Sequence, residues 1–243
     1  HIMGFSFLLS IKALLIFMTI AGFAGMYLLA SKLFGRTGGI LSASAFLLIP
    51  YRAVDLFVRG AFNELFAITV VPWIMYGMLK MKEKKSWAWT GATAVFFLLL
   101  FTSHNLMTMM FLPFLYAFGL VVLFGAKNKW VYAVKLHAAL LLGVAAAAFY
   151  LFPSYLEKGF TQVDKLIGGY GLYAYHFLYI RQFFMGTWGY GGSISGIEDG
   201  LSFHLGLAHV ILAAVGITAW FFLKKKQSAK MIAIFVAIAS SLA

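Results

Sequence analysis

The clearest feature along the chain is a series of long apolar runs that contain no Asp, Glu, Lys or Arg. All but the last of these runs have a charged residue at both ends, as expected for membrane helices, which need about 20 apolar residues to cross the hydrocarbon core. The runs are Ala13–Ser31 (19 residues), Thr37–Tyr51 (15), Leu65–Leu79 (15), Ser86–Ala126 (41), Leu136–Leu156 (21), Gly200–Leu223 (24) and Met231–Ala243 (13). The longest is sufficient for two spans, with a break at the polar triplet Ser103-His104-Asn105.

This pattern predicts an all-α fold, a polytopic transmembrane helix bundle with seven full spans and a truncated eighth. Residues 1–243 are expected to form a single transmembrane domain. The two 15-residue runs are short for a span, so we expect them to extend into the charged segment between them. Because the last run is also short and the chain starts with His1-Ile2-Met3, we expect the sequence to be a fragment of a longer membrane protein.

Composition narrows the class of protein. Hydrophobic residues make up 63% of the chain and charged residues 11%, whereas soluble domains have roughly 45–50% and about 25%. This excludes a water-soluble domain and a disordered chain, because too few polar side chains are present to cover a surface. The absence of cysteine from the sequence also excludes disulfides and thiolate metal sites.

The net charge of +12 is explained by topology. When the spans alternate with the segment after the first run in the cytoplasm, 13 of the 19 Lys and Arg residues fall on the cytoplasmic side and six of the seven acids on the other side. That distribution follows the positive-inside rule. We therefore expect the lipid bilayer as a partner and no nucleic acid, in a prokaryotic cell membrane, with the oligomeric state left open.

Two non-cytoplasmic segments stand out, the charged segment 52–64 and the aromatic and glycine-rich loop 152–199. The loop holds twelve aromatic residues, including half of the chain's 12 tyrosines. Aromatic side chains favour the membrane interface, so the loop either lies on the membrane surface or forms a platform for a sugar or lipid. Its cluster Gly189–Gly192 lacks the lysine of a phosphate-binding loop and is interpreted as a flexible turn.

The charged segment carries the candidate chemistry. If it is helical, Arg52, Asp55 and Arg59 lie on one face at i, i+3 and i+7, Gly60 permits a turn, and Glu64 begins the next helix. Ionisable groups at this depth mark functional sites by default, although a structural salt-bridge network would explain them equally well. Two guanidinium groups could clamp a phosphate, and a nearby carboxylate could act as a base or hold a divalent metal.

The run from Tyr51-Arg52 through Asp55-Leu56-Phe57-Val58-Arg59-Gly60-Ala61 to Glu64 resembles the signature of a family of large prokaryotic membrane proteins. That family carries the label 6-pyruvoyl-tetrahydropterin synthase-related and resembles GT-C class glycosyltransferases. Further matching stretches are Gly25–Leu29 with Leu33-Phe34-Gly35, the triplet 103–105, and the stretch from Trp188 to Phe203.

The resemblance implies transfer of a sugar from a polyprenyl-phosphate donor on the non-cytoplasmic face. In such enzymes the catalytic acid lies in a large outer loop after the first helix, and we expect this fragment to begin after that loop. Asp55 and Glu64 are the remaining catalytic candidates, and Arg52, Arg59 and Arg181 are the candidate ligands of the lipid phosphate. The alternative is a non-catalytic membrane protein, a transporter or scaffold for lipid-linked glycans.

Further polar residues are expected around the same cavity. They are Ser103, His104, Asn105, Asp199 and His204. The triplet 103–105 could equally form a turn that satisfies helix-end carbonyls. His137 and His209 lie in apolar runs and are interpreted as hydrogen-bonded interior residues, and the sequence has no His-x-x-x-His spacing that would indicate a metal.

Overall fold

The structure is a computed structural model that describes residues 4–83, 87–162, 165, 168–186, 188–198 and 200–222. It is 79% helical, with no strands among these residues, which confirms the all-α class. The helices are α1 (Phe7–Leu47), α2 (Pro50–Val54), α3 (Phe62–Glu83), α4 (Ala88–Ser103), α5 (Asn105–Phe124), α6 (Lys129–Ala146), α7 (Ala148–Leu156), α8 (Ile180–Phe184) and α9 (Leu207–Phe222). A π-helical turn, Asp55–Arg59, joins α2 to α3.

Four helices in the described part of the chain are long and apolar enough to cross a membrane, namely α1, α3, α5 and α6. Helix α4 and the stretch Leu207–Gly216 of α9 are shorter apolar helices. This set is compatible with an integral membrane protein, whereas the predicted count of seven full spans and an eighth is not confirmed. The last apolar run, Met231–Ala243, lies outside the described residues.

Helix α1 contains the first apolar run and most of the second, and it reverses direction between them. Gly35, at φ 79°, has non-helical backbone angles. A Cβ atom built on Gly22 would lie 3.2 Å from Cε1 of Phe46, although a straight helix would separate these residues by about 36 Å. The part after Gly35 ends at Leu47, so it is only about 18 Å long and too short to cross a bilayer of about 30 Å.

Helix α3 lies at the centre of the bundle and is the most buried of the four candidate spans. It packs against α1, α4, α5 and α6. The approach of α1 depends on small residues, because a Cβ on Gly25 would lie 2.6 Å from Nε1 of Trp73, which donates a hydrogen bond to the carbonyl of Ala21 at 3.0 Å. Close packing at small residues is typical of helices in lipid.

The two ends of α3 carry different groups. At its C-terminal end Glu83 pairs with Lys32 at 2.9 Å, and Lys80 lies over the ring of Trp89. At its N-terminal end lie Glu64 and the charged segment, about 28 Å away by helical rise. The structure thus separates residues that the charge pattern assigns to opposite sides of the membrane, and the orientation itself stays a prediction.

The loop 152–199 begins within α7 and continues through short helical turns, of which the described ones are Lys158–Phe160, Gly169–Gly171 and Tyr173–His176, and then through α8. Its glycine cluster is not a free turn. Gly191 donates a backbone hydrogen bond to Gly200 at 2.7 Å, and Gly200 donates one to Gly192 at 3.1 Å. A Cβ on Gly191 would lie 2.8 Å from Cα of Gly200, so these glycines permit two backbone segments to approach closely.

Candidate functional site

The charged segment is positioned by a break in α-helical winding. Pro50 is the first residue of α2, where its missing N–H costs nothing. The backbone then follows π-helical winding through Asp55–Arg59, and Gly60 ends it at φ 62°, a left-handed conformation that favours glycine. The predicted turn at Gly60 is therefore present. The α-helical winding on which the predicted shared face depended ends at Val54, yet Asp55 and Arg59 still meet one turn apart at 2.9 Å.

Arg59 is the centre of a cluster of charged groups. Its Nη1 and Nη2 atoms donate to Oε2 and Oε1 of Glu64, each at 2.7 Å, which makes a bidentate pair. Nη1 also donates to Oδ1 of Asp55 at 2.9 Å. The bidentate pair holds one edge of the guanidinium, and the bond to Asp55 adds a contact from another direction.

Tyr51 belongs to the same cluster, and the sequence did not assign it a role. Its hydroxyl donates to Oε2 of Glu64 at 2.6 Å and accepts from Nη1 of Arg59 at 2.9 Å. Burial, with the negative charge of Asp55, raises the pKa of the Tyr51 hydroxyl above its usual range, so the hydroxyl stays protonated. The one feature of the sequence that could have indicated this role is the position of Tyr51, four residues and about one helical turn before Asp55.

Asp55 is fully buried, at 0% exposure. Its Oδ2 atom has no hydrogen-bond partner among the residues that the structure describes. Burial, together with the charge of Glu64, raises the pKa of the Asp55 carboxyl from 3.8 to about 7, although Arg59 and Arg52 act in the opposite direction. Asp55 is therefore close to half-protonated at neutral pH.

Arg52 does not join Arg59. It is 5% exposed and extends into the bundle, where its guanidinium lies 4.9 Å from the centre of the Phe46 ring and 3.5 Å from Oγ1 of Thr69. A Cβ on Gly22 would be 3.7 Å from both terminal nitrogens of Arg52. Burial lowers the pKa of this guanidinium to about 10, which still leaves it charged at neutral pH.

The triplet 103–105 satisfies helix ends, one of the two roles that the sequence left open, and its predicted place in the cavity stays a prediction. Ser103 donates to the carbonyl of Leu100 at 2.7 Å, and Nδ1 of His104 accepts the backbone N–H of Met107 at 3.3 Å, so both side chains satisfy helix ends. Because Nδ1 is an acceptor, the Nε2 atom of His104 carries the proton and faces Oε1 of Glu64 at 3.9 Å.

Asn105 lies beyond this contact. Its Oδ1 atom accepts a hydrogen bond from the hydroxyl of Tyr150 at 3.2 Å. This bond ties the start of α5 to α7, which leads into the loop 152–199. Asn105 therefore steadies the neighbourhood of the charged cluster without contacting it in the described hydrogen bonds.

Arg59 and Tyr51 line a cavity of about 510 Å³ between the charged segment and the outer loop. The loop contributes His176 and Ser193, which are 3.0 Å apart between Nδ1 and Oγ. The apolar part of the wall is formed by Val58, Leu178, Leu201 and Phe203. The sequence singled out neither Ser193 nor Phe203 for this site, because more than 100 positions separate them from Arg59.

Arg181, a predicted partner of Arg59, lies elsewhere. It lines a second cavity of about 310 Å³ together with Gln182, Glu198 and Ser202. His204 is beside this cavity, because a Cβ on Gly186 would lie 2.9 Å from Cδ2 of His204. Asp199, the remaining predicted cavity residue, lies outside the described residues.

His137 and His209, the histidines of the apolar runs, have structural partners. His137 contacts the hydroxyl of Tyr116 at 3.2 Å and the carbonyl of Ala133 at 2.8 Å. Nε2 of His209 lies 2.9 Å from the carbonyl of Ala45. Among the described residues no group of three or more His, Asp or Glu side chains is arranged to hold a metal ion.

Comparison of the chain with protein-family models, with curated proteins and with solved structures finds no match. The resemblance to GT-C class enzymes therefore rests on the residues of this chain alone.

Proposed function

We propose that the protein is a membrane glycosyltransferase that uses a polyprenyl-phosphate sugar on the non-cytoplasmic face of a prokaryotic cell membrane. The observation that carries this proposal is the cavity at Arg59. A lipid-linked sugar phosphate needs a cation for its phosphate, hydroxyl groups and aromatic faces for its sugar, and an apolar approach for its lipid. The wall supplies Arg59, then Tyr51 and Ser193, and an apolar side that includes Phe203.

Arg59 can receive a phosphate without releasing Glu64. A guanidinium has five N–H donors. The described bonds of Arg59 use the hydrogens on Nη1 and one of the two hydrogens on Nη2. The Nε hydrogen and the second Nη2 hydrogen remain for a ligand. The side chain is 34% exposed, whereas the side chains of Glu64 and Asp55 are 9% and 0% exposed, so a ligand reaches the cation before it reaches the acids.

The chemistry follows from the leaving group. Sugar transfer breaks the bond between the sugar and the phosphate oxygen, and negative charge grows on the phosphate in the transition state. A guanidinium held rigidly by Glu64 and Asp55 stabilises that charge without having to reorganise. The attacking hydroxyl oxygen forms the new bond to the sugar, and its proton passes to the Tyr51 hydroxyl, which lines the cavity and hands its own proton to Glu64 at 2.6 Å. Asp55, whose pKa is raised to about 7, is the second candidate acceptor behind this cluster.

The test is sugar transfer in membranes that contain equal amounts of wild-type and variant protein, with a labelled polyprenyl-phosphate sugar as donor. Arg59→Ala is expected to lower the rate about 10²–10³-fold, and Arg59→Lys is expected to remain impaired because an ammonium lacks the planar fork. The matched control is Arg36→Ala, which removes an exposed arginine directly before the apolar run Thr37–Tyr51.

Undiminished transfer by Arg59→Ala would remove Arg59 from the mechanism. Wild-type protein that binds the donor and transfers no sugar would favour the non-catalytic alternative, a transporter or scaffold for lipid-linked glycans.

A further inference from the structure

The second cavity differs in character from the cavity at Arg59. It encloses about 310 Å³, at the lower end of the roughly 300–1,000 Å³ found for small-molecule sites. Its described charged residues are one arginine and one glutamate, Arg181 and Glu198, and no described ion pair joins them. Their charges balance, so the cavity offers both a donor and an acceptor and has no net attraction for an anion.

Ser202 gives the stronger indication of a ligand. This residue lines the second cavity and is only 4% exposed. Its Oγ atom is buried and has no hydrogen-bond partner among the described residues. A buried hydroxyl without a partner costs about 1–3 kcal/mol, and such exceptions in a folded protein call for a specific explanation. A ligand hydroxyl in the cavity would provide the partner that the described residues do not supply.

The two cavities are neighbours. Leu201 and Phe203 line both of them, so the segment that contains Ser202 lies between the two spaces. A group bound in the second cavity would therefore meet the same aromatic wall as a ligand bound beside Arg59. That placement suits two ligands that must approach each other.

We propose that the second cavity binds a neutral, hydroxyl-bearing carbohydrate unit, through Ser202, Arg181 and Glu198. Hydroxyl groups both donate and accept, and this wall offers a donor, an acceptor and a side chain that can do both. The assignment of this unit as the sugar acceptor rests on the proposed function, whereas the binding itself does not. Arg181 then contacts a neutral hydroxyl group and does not bind the lipid phosphate.

The test uses purified protein in deuterated detergent, with saturation-transfer NMR to detect binding of the methyl glycosides of glucose, mannose and galactose. We expect Ser202→Ala to weaken binding of a recognised glycoside about 2- to 10-fold, the effect of one lost hydrogen bond. Stability should be unchanged or slightly raised, because the substitution removes a buried hydroxyl for which the described part of the chain offers no partner. Ser154→Ala is the matched control, since Ser154 is exposed on α7 and bonds only to Tyr150 of its own helix in the described contacts.

Arg59→Ala should leave glycoside binding intact, because Arg59 does not line this cavity. Wild-type protein that binds none of the glycosides, or a Ser202→Ala variant that binds as well as wild type, would overturn the proposal. Glycoside binding that depends on Ser202 in a protein that transfers no sugar would support the site and refute the proposed function. Sugar transfer by a protein whose glycoside binding does not depend on Ser202 would support the proposed function and refute the site.

Discussion

The buried carboxyl of Asp55 predicts that the protein loses stability as the pH rises through neutrality, and that Asp55→Asn abolishes this loss. The folded protein raises the pKa of Asp55 from 3.8 to about 7, chiefly through burial. A carboxyl with a raised folded-state pKa binds its proton more tightly in the folded protein than in the unfolded chain. Its stabilising contribution is therefore complete below about pH 4 and is lost as the pH rises through about 7.

The size of the effect follows from the same numbers. Each unit between the two pKa values corresponds to about 1.4 kcal/mol, so the interval from 3.8 to about 7 gives an upper limit of about 4 kcal/mol. In a chain of this length 1 kcal/mol shifts the midpoint of thermal unfolding by about 2–4 °C. The wild-type midpoint should thus fall by several degrees, and by about 10 °C at most, between about pH 5 and about pH 8.

The substitution Asp55→Asn isolates this contribution. The amide oxygen of asparagine can still accept from Nη1 of Arg59, while the group carries no charge at any pH. The variant should match the wild type below about pH 4, and its unfolding midpoint should exceed that of the wild type by a margin that grows between about pH 5 and about pH 8. Thermal unfolding in detergent, followed by tryptophan fluorescence, measures both, and Glu157→Gln, which changes an exposed carboxylate at the end of α7, is the control.

A wild-type midpoint that stays level or rises across this pH range would refute the reasoning. So would an Asp55→Asn variant that keeps the wild-type slope, because the proton in question would then belong to another group.

Two further predictions concern packing and orientation. Gly25→Ala should lower the free energy of unfolding by about 1–3 kcal/mol, because its Cβ would meet the ring of Trp73. Gly91→Ala is the control and should not lower it, because a Cβ on Gly91 would have no atom within 4 Å. Equal thermal stability of the two variants would contradict the packing of Gly25 against Trp73. Since the chain has no cysteine, Lys158→Cys should react with a membrane-impermeant maleimide from the non-cytoplasmic side and Lys127→Cys should not. The opposite labelling would reverse the topology.

The clustering of charges in segment 52–64 was accessible from the sequence, because four ionisable groups between two apolar runs have few ways to avoid the hydrocarbon. The prediction succeeded for Arg59, Asp55 and Glu64, which share hydrogen bonds. The prediction was wrong for the position of the Arg52 guanidinium. Two residues on one helical face can still place the ends of long side chains in different surroundings. The aromatic ring that holds Arg52 belongs to Phe46, on the preceding helix.

The winding of the segment and the extent of α1 were less accessible. The π-helical turn ends beside the contact of Arg59 with Glu64 across Gly60, a spacing of five residues that the α-helical rule of pairs at i, i+3 and i+4 does not predict. Charged residues at positions 32 and 36 separated the first two apolar runs, but the fold-back at Gly35 leaves the second part too short to be a span. The cavity residues His176 and Ser193 come from a distant loop, so nothing near Arg59 in the sequence could indicate them.

The raised pKa of Asp55 makes the folded protein less stable at neutral pH than at low pH, yet Asp55 also accepts a hydrogen bond that holds Arg59. Glu64 alone would hold the guanidinium along one edge and leave it free to swing about that pair. The 2.9 Å bond from Nη1 to Asp55 adds a contact from another direction and fixes the plane of the group. Buried ion pairs seldom add much net stability, and their best-supported contribution is to specify one geometry. A cation held in one orientation at a cavity wall is what electrostatic stabilisation of a transition state requires, so under the proposed function Asp55 lowers stability at neutral pH and in return fixes the position of Arg59 for the phosphate.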